Sequence, residues 1–154
     1  MAEITLLLGA NRGNPTATFV RAIALIEQGI GRVLAASRDH WTAPWGFQDD
    51  QLFLNRALLV ESDQPPGVVM ERALEIETEL GRVRTPGSGY TSRIIDLDIL
   101  FIGAQVIDQP GLTVPHPRVH ERAFALAPAA DIVPGLVHPV WQRNVLDLLD
   151  QCRK

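Results

Sequence analysis

The sequence contains very little cysteine and lysine, and it has no long hydrophobic run. Its single cysteine, Cys152, provides neither a disulfide framework nor a cysteine-rich zinc cluster. The apolar run near the N-terminus is far shorter than a membrane span, and Glu3 stands where a signal peptide carries basic residues. We therefore expect a soluble, cytoplasmic protein with no membrane partner.

An excess of positive charge is also missing. The formal net charge is −4 and the isoelectric point is near 5.5, whereas nucleic-acid-binding domains normally carry a basic patch. We expect no nucleic-acid partner. Because Lys154 is the only lysine, an anionic ligand would be held by arginine, whose planar guanidinium suits phosphate. The arginine bias can equally reflect genome composition.

The chain does have enough apolar residues for one core. Its 154 residues are 46% hydrophobic, which is typical of a single domain, here spanning 1–154 and expected to be monomeric. Periodicity and turn residues predict strands over Ile4–Leu8, Val33–Trp41, Phe53–Glu61 and the run around Asp96, with a hairpin that turns at Gly103. They predict two longer helices, from Asn14 to Gly29 and from Asp63 to Gly81. Two short helices are predicted over Phe124–Ala130 and Val145–Cys152. The order predicts an α+β, ferredoxin-like βαββαβ core, a mostly antiparallel sheet with helices on one face, plus additional C-terminal elements.

Two acids interrupt the apolar run "RIIDLDILF", which ends at Phe101. Asp96 and Asp98 are two residues apart on a strand, so both carboxylates face the same way and repel each other. An edge strand could use such acids to prevent pairing with another sheet. The surrounding residues favour a central strand instead, because they are apolar. The alternation assigns four of them to one face: Ile95, Leu97, Ile99 and Phe101. A hard cation such as Mg²⁺, which takes one or two carboxylates plus phosphate oxygens, resolves the repulsion.

Arginines bracket the loop "GRVRTPGSGYTS" just before these acids. Arg82, Arg84 and Arg93 are either solvated surface residues or phosphate ligands, and the glycine-rich loop favours phosphate contacts that form when it closes as a lid. His116 and Arg122 in "PHPRVHER" are further donors. A zinc pair of His116 and His120 is disfavoured because Pro117 interrupts a regular helix.

A third pattern, "TAPWGFQDDQLFLN", combines aromatic residues with an amide. A flat heteroaromatic ligand could stack on rings such as Trp45 and Phe53 while Asn55 binds its edge; alternatively, these are ordinary strand and loop residues. Walker A and GxGxxG motifs are absent from the sequence, so that any ATP site is of another type.

Taken in order, "GANRGNP", "TAPWGFQDDQLFLN", "ELGRVR", "SRIIDLDILF" and "LTVPHPRVHERAF" resemble the 6-hydroxymethyl-7,8-dihydropterin pyrophosphokinase family of folate biosynthesis. The similarity extends over nearly the whole chain. It implies a ferredoxin-like fold and transfer of the pyrophosphoryl group of ATP to the pterin hydroxymethyl oxygen, with release of AMP. It also implies two Mg²⁺ ions bound with ATP.

The resemblance assigns roles to individual residues. Asp96 and Asp98 would hold the metal ions, and Arg82 and Arg93 would act as catalytic lid cations. ATP would contact Arg82, Arg84, Tyr90, Arg93, Thr113, His116 and Arg122. The pterin would contact Asn11, Thr42, Pro44, Trp45, Phe53, Asn55 and Phe124, and Glu77 would have a supporting role. Thr91 and Ser92 replace a frequent Gly-Pro pair, and Gly111 and Thr85 replace residues with larger or basic side chains.

Two other functions remain open at this stage. A metal-dependent phosphohydrolase could use the same aspartates with water as the nucleophile. A ferredoxin-like binding module without catalysis, including an RNA-recognition type, has the same element order, although the acidic chain and the absence of a basic stripe disfavour RNA.

Overall fold

The computed structural model of the chain describes residues 1–43, 52–81 and 94–154, and residues 83–84 and 91–92 by their backbone. Within these ranges the elements are, in order, β1 (Ala2–Ala10), α1 (Pro15–Gly29), β2 (Arg32–Ala36), β3 (His40–Thr42), β4 (Phe53–Ser62), α2 (Pro66–Glu79), β5 (Val83–Arg84), β6 (Thr91–Ser92), β7 (Asp96–Ile102), β8 (Ile107–Gln109), β9 (Leu112–Val114), a 3₁₀ turn (Val119–Glu121), α3 (Ala123–Ile132) and α4 (Val145–Cys152).

The main sheet is antiparallel throughout. Its strands lie in the order β2, β4, β1, β7, and β3 also pairs with β4. Because α1 and α2 connect these strands, the chain follows the predicted βαββαβ order, and the ferredoxin-like core is confirmed.

Helices cover both faces of the sheet. On one face, α1 and α2 bury residues such as Phe19, Ile26 and Val69 against the strands. On the other face, α3 and α4 form a second core that contains Leu126 and Leu148. The predicted one-sided packing therefore describes only α1 and α2, and the additional C-terminal elements supply the second layer.

Helix boundaries agree well with the sequence signals. The side chain of Asn14 accepts a hydrogen bond from the backbone N–H of Ala17 at 3.2 Å, and Pro15 is the first residue of α1. Asn144 caps α4 in the same way through Asp147 at 2.8 Å. In the part of the chain that the structure describes, we find no helix that is both long and apolar enough to span a membrane.

The strand with the two aspartates does not occupy the predicted central position. Among the described strands, β7 pairs only with β1 and ends the sheet. Its outer edge is nevertheless covered, because Glu77 of α2 accepts from the backbone N–H of Leu97 and the N–H of His116 donates to the Leu100 carbonyl. This cover explains why a strand at the edge has the apolar composition of an interior strand.

The face assigned to Phe101 is also wrong. Opposite β1, Leu6 pairs with Ile99 and Thr5 pairs with Phe101, so that Leu100 is an extra residue in β7. This β-bulge shifts the alternation of side chains, and Phe101 joins Leu100 in the core beneath α3 and α4. Ile95, Leu97 and Ile99 pack on the α1 and α2 face, as predicted.

The predicted strand over Val33–Trp41 is two strands. Between β2 and β3, the Ser37 hydroxyl donates to the Arg38 carbonyl and accepts from the N–H of Ala57, at 2.7 and 2.9 Å. Asp39 pairs with Arg56. Side chains therefore replace part of the backbone ladder here, which hydrophobic periodicity does not reveal.

The predicted hairpin at Gly103 is also wrong. The chain does turn there, but β8 pairs with β9 instead of β7. The turn between β8 and β9 contains Pro110 and Gly111, and Gly111 has φ of +81°, as the third residue of a type II turn requires. Glycine at this position is thus needed by the backbone.

Candidate active site

A cavity of about 210 Å³ opens on the α3 face of the sheet, where β1 ends and β7 begins. We call it the first cavity. Its walls combine aromatic rings, an amide and two carboxylates from four strands and the start of α3. The lining residues are Leu7, Gly9, Thr42, Ala43, Phe53, Asn55, Asp96, Asp98, Arg122 and Phe124.

Strand register places the polar groups of this cavity in rows. Gly9 lies opposite Asn55 on one side and Asp96 on the other, and Leu7 lies opposite Asp98. Directly opposed residues project to the same face of a sheet, with adjacent strands about 4.8 Å apart. The amide and the two carboxylates therefore lie on one surface, separated by the bare backbone of Gly9.

Gly9 leaves space that any other residue would fill. A Cβ atom at this position would lie 3.3 Å from Oδ1 of Asn55, a tight contact inside the cavity. Asn55 and Asp96 lie on either side of Gly9 on the neighbouring strands. Because Gly9 has no side chain, the space between them stays open.

The amide end of the cavity is rigid. Asn55 is only 4% exposed, and its Nδ2 donates to Oγ1 of Thr42 at 3.1 Å. At the cavity mouth, the guanidinium of Arg122 lies 5.5 Å from the centre of the Phe124 ring, within the range of a cation–π contact. The first cavity thus combines aromatic rings with a hydrogen-bonded amide.

Asp96 and Asp98 both line the first cavity, as their spacing predicts. The amide between them, that of Leu97, is held by Oε2 of the buried Glu77 at 2.8 Å. In the described ranges, no three His, Cys, Asp or Glu side chains form a group able to hold a metal. Two carboxylates nevertheless fit Mg²⁺ that takes its other ligands from phosphate and water.

A second cavity of about 310 Å³ adjoins the first. Asp98 lines both, so that this residue lies at their junction. The residues around the second cavity are Met70, Leu97, Asp98, Ile99, Gly111, Leu112, Thr113, His116 and Pro117.

His116 is held as a neutral ring in the second cavity. Burial lowers its pKa below the usual value, and the guanidinium groups of Arg122 and Arg118 lower the pKa further. Its Nδ1 accepts from the backbone N–H of Arg118 at 3.2 Å, so the neutral ring carries its proton on Nε2. That N–H is a donor suited to a phosphate oxygen.

Most of the predicted site residues that the structure describes lie around the two cavities. These are Asp96, Asp98, Thr42, Phe53, Asn55, Arg122 and Phe124 at the first, and Thr113 and His116 at the second. Asn11 is buried just after β1, but it is not among the described lining residues of either cavity. Pro44, Trp45, Arg82, Tyr90 and Arg93 fall outside the described residues, and only the backbone of Arg84 is described.

Sequence reasoning missed Leu7 and Gly9 on β1 and Met70 on α2. Leu7 and Gly9 are two residues apart at the end of a strand that leads into a turn, which is a recognisable position for a binding surface. Met70 gave no comparable signal, because its helical spacing is that of an ordinary packing residue.

A family model described as 7,8-dihydro-6-hydroxymethylpterin-pyrophosphokinase (HPPK) matches residues 5–134, which is most of the chain. The chain belongs to this family. It is an enzyme of the HPPK class, and the resemblance stated from its motifs is confirmed.

Curated HPPK relatives match over most of their length. The 2-amino-4-hydroxy-6-hydroxymethyldihydropteridine pyrophosphokinase of Methylorubrum extorquens is 42% identical over 139 residues, covering 89% of this chain and 86% of that protein. The protein of the same name from Porphyromonas gingivalis is 36% identical over 141 residues, covering 90% of this chain and 95% of that protein.

Solved structures support the fold. Wild-type Plasmodium falciparum HPPK-DHPS aligns with 97% of this chain at a TM-score of 0.75 and 14% identity. This chain covers only 44% of that longer chain. At this identity the likeness shows the ferredoxin-like fold and nothing more.

Proposed function

We propose that Asp98, at the junction of the two cavities, marks where the chain transfers a pyrophosphoryl group. HPPK enzymes transfer this group from ATP to 6-hydroxymethyl-7,8-dihydropterin in folate synthesis. Here the hydroxymethyl oxygen attacks the β-phosphorus, the bond between the α- and β-phosphates breaks, and AMP leaves. The sharing of Asp98 by both cavities carries this proposal, because one predicted metal ligand then borders both proposed substrate sites.

The pterin occupies the first cavity in this proposal. Its flat rings stack against Phe53 and Phe124, and its polar edge meets Asn55 and Thr42, which already form a hydrogen bond with each other. Asn11, Pro44 and Trp45 are further proposed contacts of the pterin.

ATP extends from the second cavity toward the first. Thr113 lies on the adenosine side, and the Nε2–H of His116 and the guanidinium of Arg122 bind phosphate oxygens. Arg84 and Tyr90 add contacts from the loop. Arg82 and Arg93 are the catalytic cations that stabilise the charge of the transferred group.

Asp96 and Asp98 would hold two Mg²⁺ ions together with ATP. When bound, the metal supplies charge neutralisation and alignment of the triphosphate. The protein residues supply position: phosphoryl transfer through a loose transition state depends mainly on orientation and on cationic groups around the phosphate.

We also propose that the enzyme is a cytoplasmic monomer without nucleic-acid or membrane partners. Sedimentation equilibrium of the purified chain tests the oligomeric state.

Product analysis tests the activity. The purified chain is mixed with ATP, Mg²⁺ and the reduced hydroxymethylpterin, and adenine nucleotides are separated by chromatography. We expect AMP, formed only when the pterin is present. ADP as the product, or phosphate or pyrophosphate released without the pterin, would overturn the proposal and favour a phosphohydrolase or another kinase reaction.

A matched pair of variants links the activity to the site. Asp98→Asn is expected to abolish AMP formation while pterin binding remains measurable by fluorescence quenching. Asp108→Asn, an exposed change on β8, is the control and keeps wild-type turnover. Equal turnover in Asp98→Asn and wild type contradicts the assigned metal role.

A further inference from the structure

Asp131, in the last turn of α3, joins this helix to the start of β3 and to the segment just before it. Its Oδ2 lies 2.8 Å from Nε2 of His40 and accepts from the backbone N–H of Arg38 at 3.2 Å. The guanidinium of Arg38 donates to the same carboxylate, with Nη2 3.3 Å from Oδ1. One carboxylate therefore receives several hydrogen bonds from two residues that are close in sequence.

The contact between Asp131 and His40 is largely shielded from water. The two side chains are only 19% and 20% exposed. Burial acts to raise the pKa of Asp131, but the hydrogen bonds from His40 and Arg38 outweigh it and lower the pKa below its usual value. The carboxylate is thus ionised at neutral pH, as a charge-assisted anchor requires.

Asp131 shares α3 with Phe124, which lines the first cavity. Phe124 precedes it by seven residues, which is almost two helical turns, so both lie on the same face of α3 about 10 Å apart. The helix α3 contacts β3 and β4. Most other residues of α3 are alanines, which offer little side-chain bulk to fix the helix against the sheet.

His40 lies next to Thr42 and Asn55, two other residues that line the first cavity. It lies directly across from Asn55 in the β3–β4 pair, and it precedes Thr42 by two residues on the same strand. The three side chains therefore share one face of the sheet. Among the described strands β3 pairs only with β4, so its position depends strongly on contacts to α3.

We infer that Asp131 is a positioning residue for the pterin, acting through its contacts with His40 and Arg38 to set the gap between Phe124 and the Thr42–Asn55 pair. This inference rests on the proposed function, because it takes the first cavity to be the pterin site. Asp131 does not line either cavity and is not a catalytic residue.

The chain offers a matched control on the neighbouring residue. Asp39 lies between Arg38 and His40, and its Oδ1 accepts from Nε of Arg56 at 2.8 Å. The guanidinium of Arg56 lies 5.2 Å from the centre of the Phe19 ring of α1. Asp39→Ala therefore removes an ion pair from the same segment without touching α3.

Calorimetric titration of wild type, Asp131→Ala, His40→Ala and Asp39→Ala tests the inference, with the reduced hydroxymethylpterin and a non-hydrolysable Mg-ATP analogue as separate ligands. Asp131→Ala is expected to weaken pterin binding about tenfold, which equals about 1.4 kcal/mol, and to leave nucleotide affinity within about twofold. Asp39→Ala keeps both affinities. The double variant of Asp131 and His40 is expected to bind the pterin as weakly as Asp131→Ala alone, because Asp131→Ala has already removed the contact with His40.

The outcomes separate the two proposals. Failure of the wild-type chain to bind the pterin removes the proposed function and this inference with it. Wild-type pterin affinity in Asp131→Ala, or an equal loss for both ligands, overturns the inference alone. If Asp131→Ala does not fold, His40→Ala decides by the same comparison, since it removes the partner and leaves the helix sequence intact.

Discussion

Glu77 and Leu97 are joined by a buried hydrogen bond in which Oε2 of Glu77 accepts from the Leu97 backbone N–H at 2.8 Å. The donor amide stands between the two aspartates of β7, and Glu77 is only 3% exposed. A helix side chain thus occupies the position where a further strand would otherwise pair. The resemblance implies a supporting role for Glu77. In the structure, this residue holds the backbone between the two proposed metal ligands.

Replacing Glu77 with alanine is expected to lower the free energy of unfolding by about 1–3 kcal/mol, because a buried amide loses its acceptor. Glu77→Gln keeps an acceptor oxygen and is expected to lose less. Urea denaturation of the two variants provides the comparison. An alanine variant as stable as wild type would show that water or a shifted side chain replaces the carboxylate.

Gly9→Ala is expected to weaken pterin binding by about tenfold or more and to leave nucleotide binding unchanged. The added methyl group would lie 3.3 Å from Oδ1 of Asn55 on the floor of the first cavity. Fluorescence quenching measures the pterin affinity. Gly67→Ala in α2 is the control, since a Cβ there meets no atom within 4 Å and alanine favours the helix. Equal pterin affinity in Gly9→Ala and wild type would place the pterin elsewhere.

Arg93→Ala is expected to lower turnover by roughly a thousandfold or more, with a much smaller effect on ATP affinity, because a cation on the transferred group acts mainly in the transition state. Steady-state kinetics and nucleotide titration separate the two effects. Arg72→Ala, which removes an exposed ion pair with Glu75 on α2, should change neither quantity. Weaker ATP affinity with wild-type turnover would indicate ground-state binding instead.

Acid is expected to destabilise the protein, starting below about pH 6.5, the usual histidine pKa. Burial lowers the pKa of His138, assisted by the charge of His120, and the pKa of His116 is lowered as well. The unfolded chain therefore binds more protons than the folded one in this range, so stability is highest above it and falls as the pH drops.

His138 gives this prediction a specific test. Its Nδ1 accepts from the N–H groups of Val140 and Trp141, both at 3.1 Å, and protonation there would break both bonds. His138→Asn offers an acceptor oxygen that does not titrate. Urea denaturation at pH 5.5 and 7.5 should show a smaller pH dependence in His138→Asn than in wild type. An unchanged dependence would assign the effect to other groups.

Local signals in the sequence predicted much of the fold. Asn14 and Pro15 mark the start of α1, and the alternation in β7 predicts that Asp96 and Asp98 share a face, because caps and side-chain direction depend on a few neighbouring residues. The motifs also indicated the family. The roles of all the candidate site residues, including Arg82, Tyr90 and Arg93, stay predictions.

Long-range contacts account for what could not be predicted. The break between β2 and β3 depends on Asp131 and Ala57, both distant in sequence. The pairing of β8 with β9 was missed because the Pro110–Gly111 turn was overlooked, while the cover on β7 comes from Glu77. Gly9 was missed as a site residue because its importance lies in the two side chains opposite it.

The bulge at Leu100 makes the length of β7 as important as its composition. Before this residue, alternate side chains place Asp96 and Asp98 at the first cavity. After it, the alternation is displaced by one residue, so that Phe101 enters the second core. If β7 were one residue shorter, either Asp96 and Asp98 would leave the face of the first cavity or Phe101 would leave the second core. Single-residue deletions between Asp98 and Phe101 should therefore be far more harmful than apolar substitutions at the same positions.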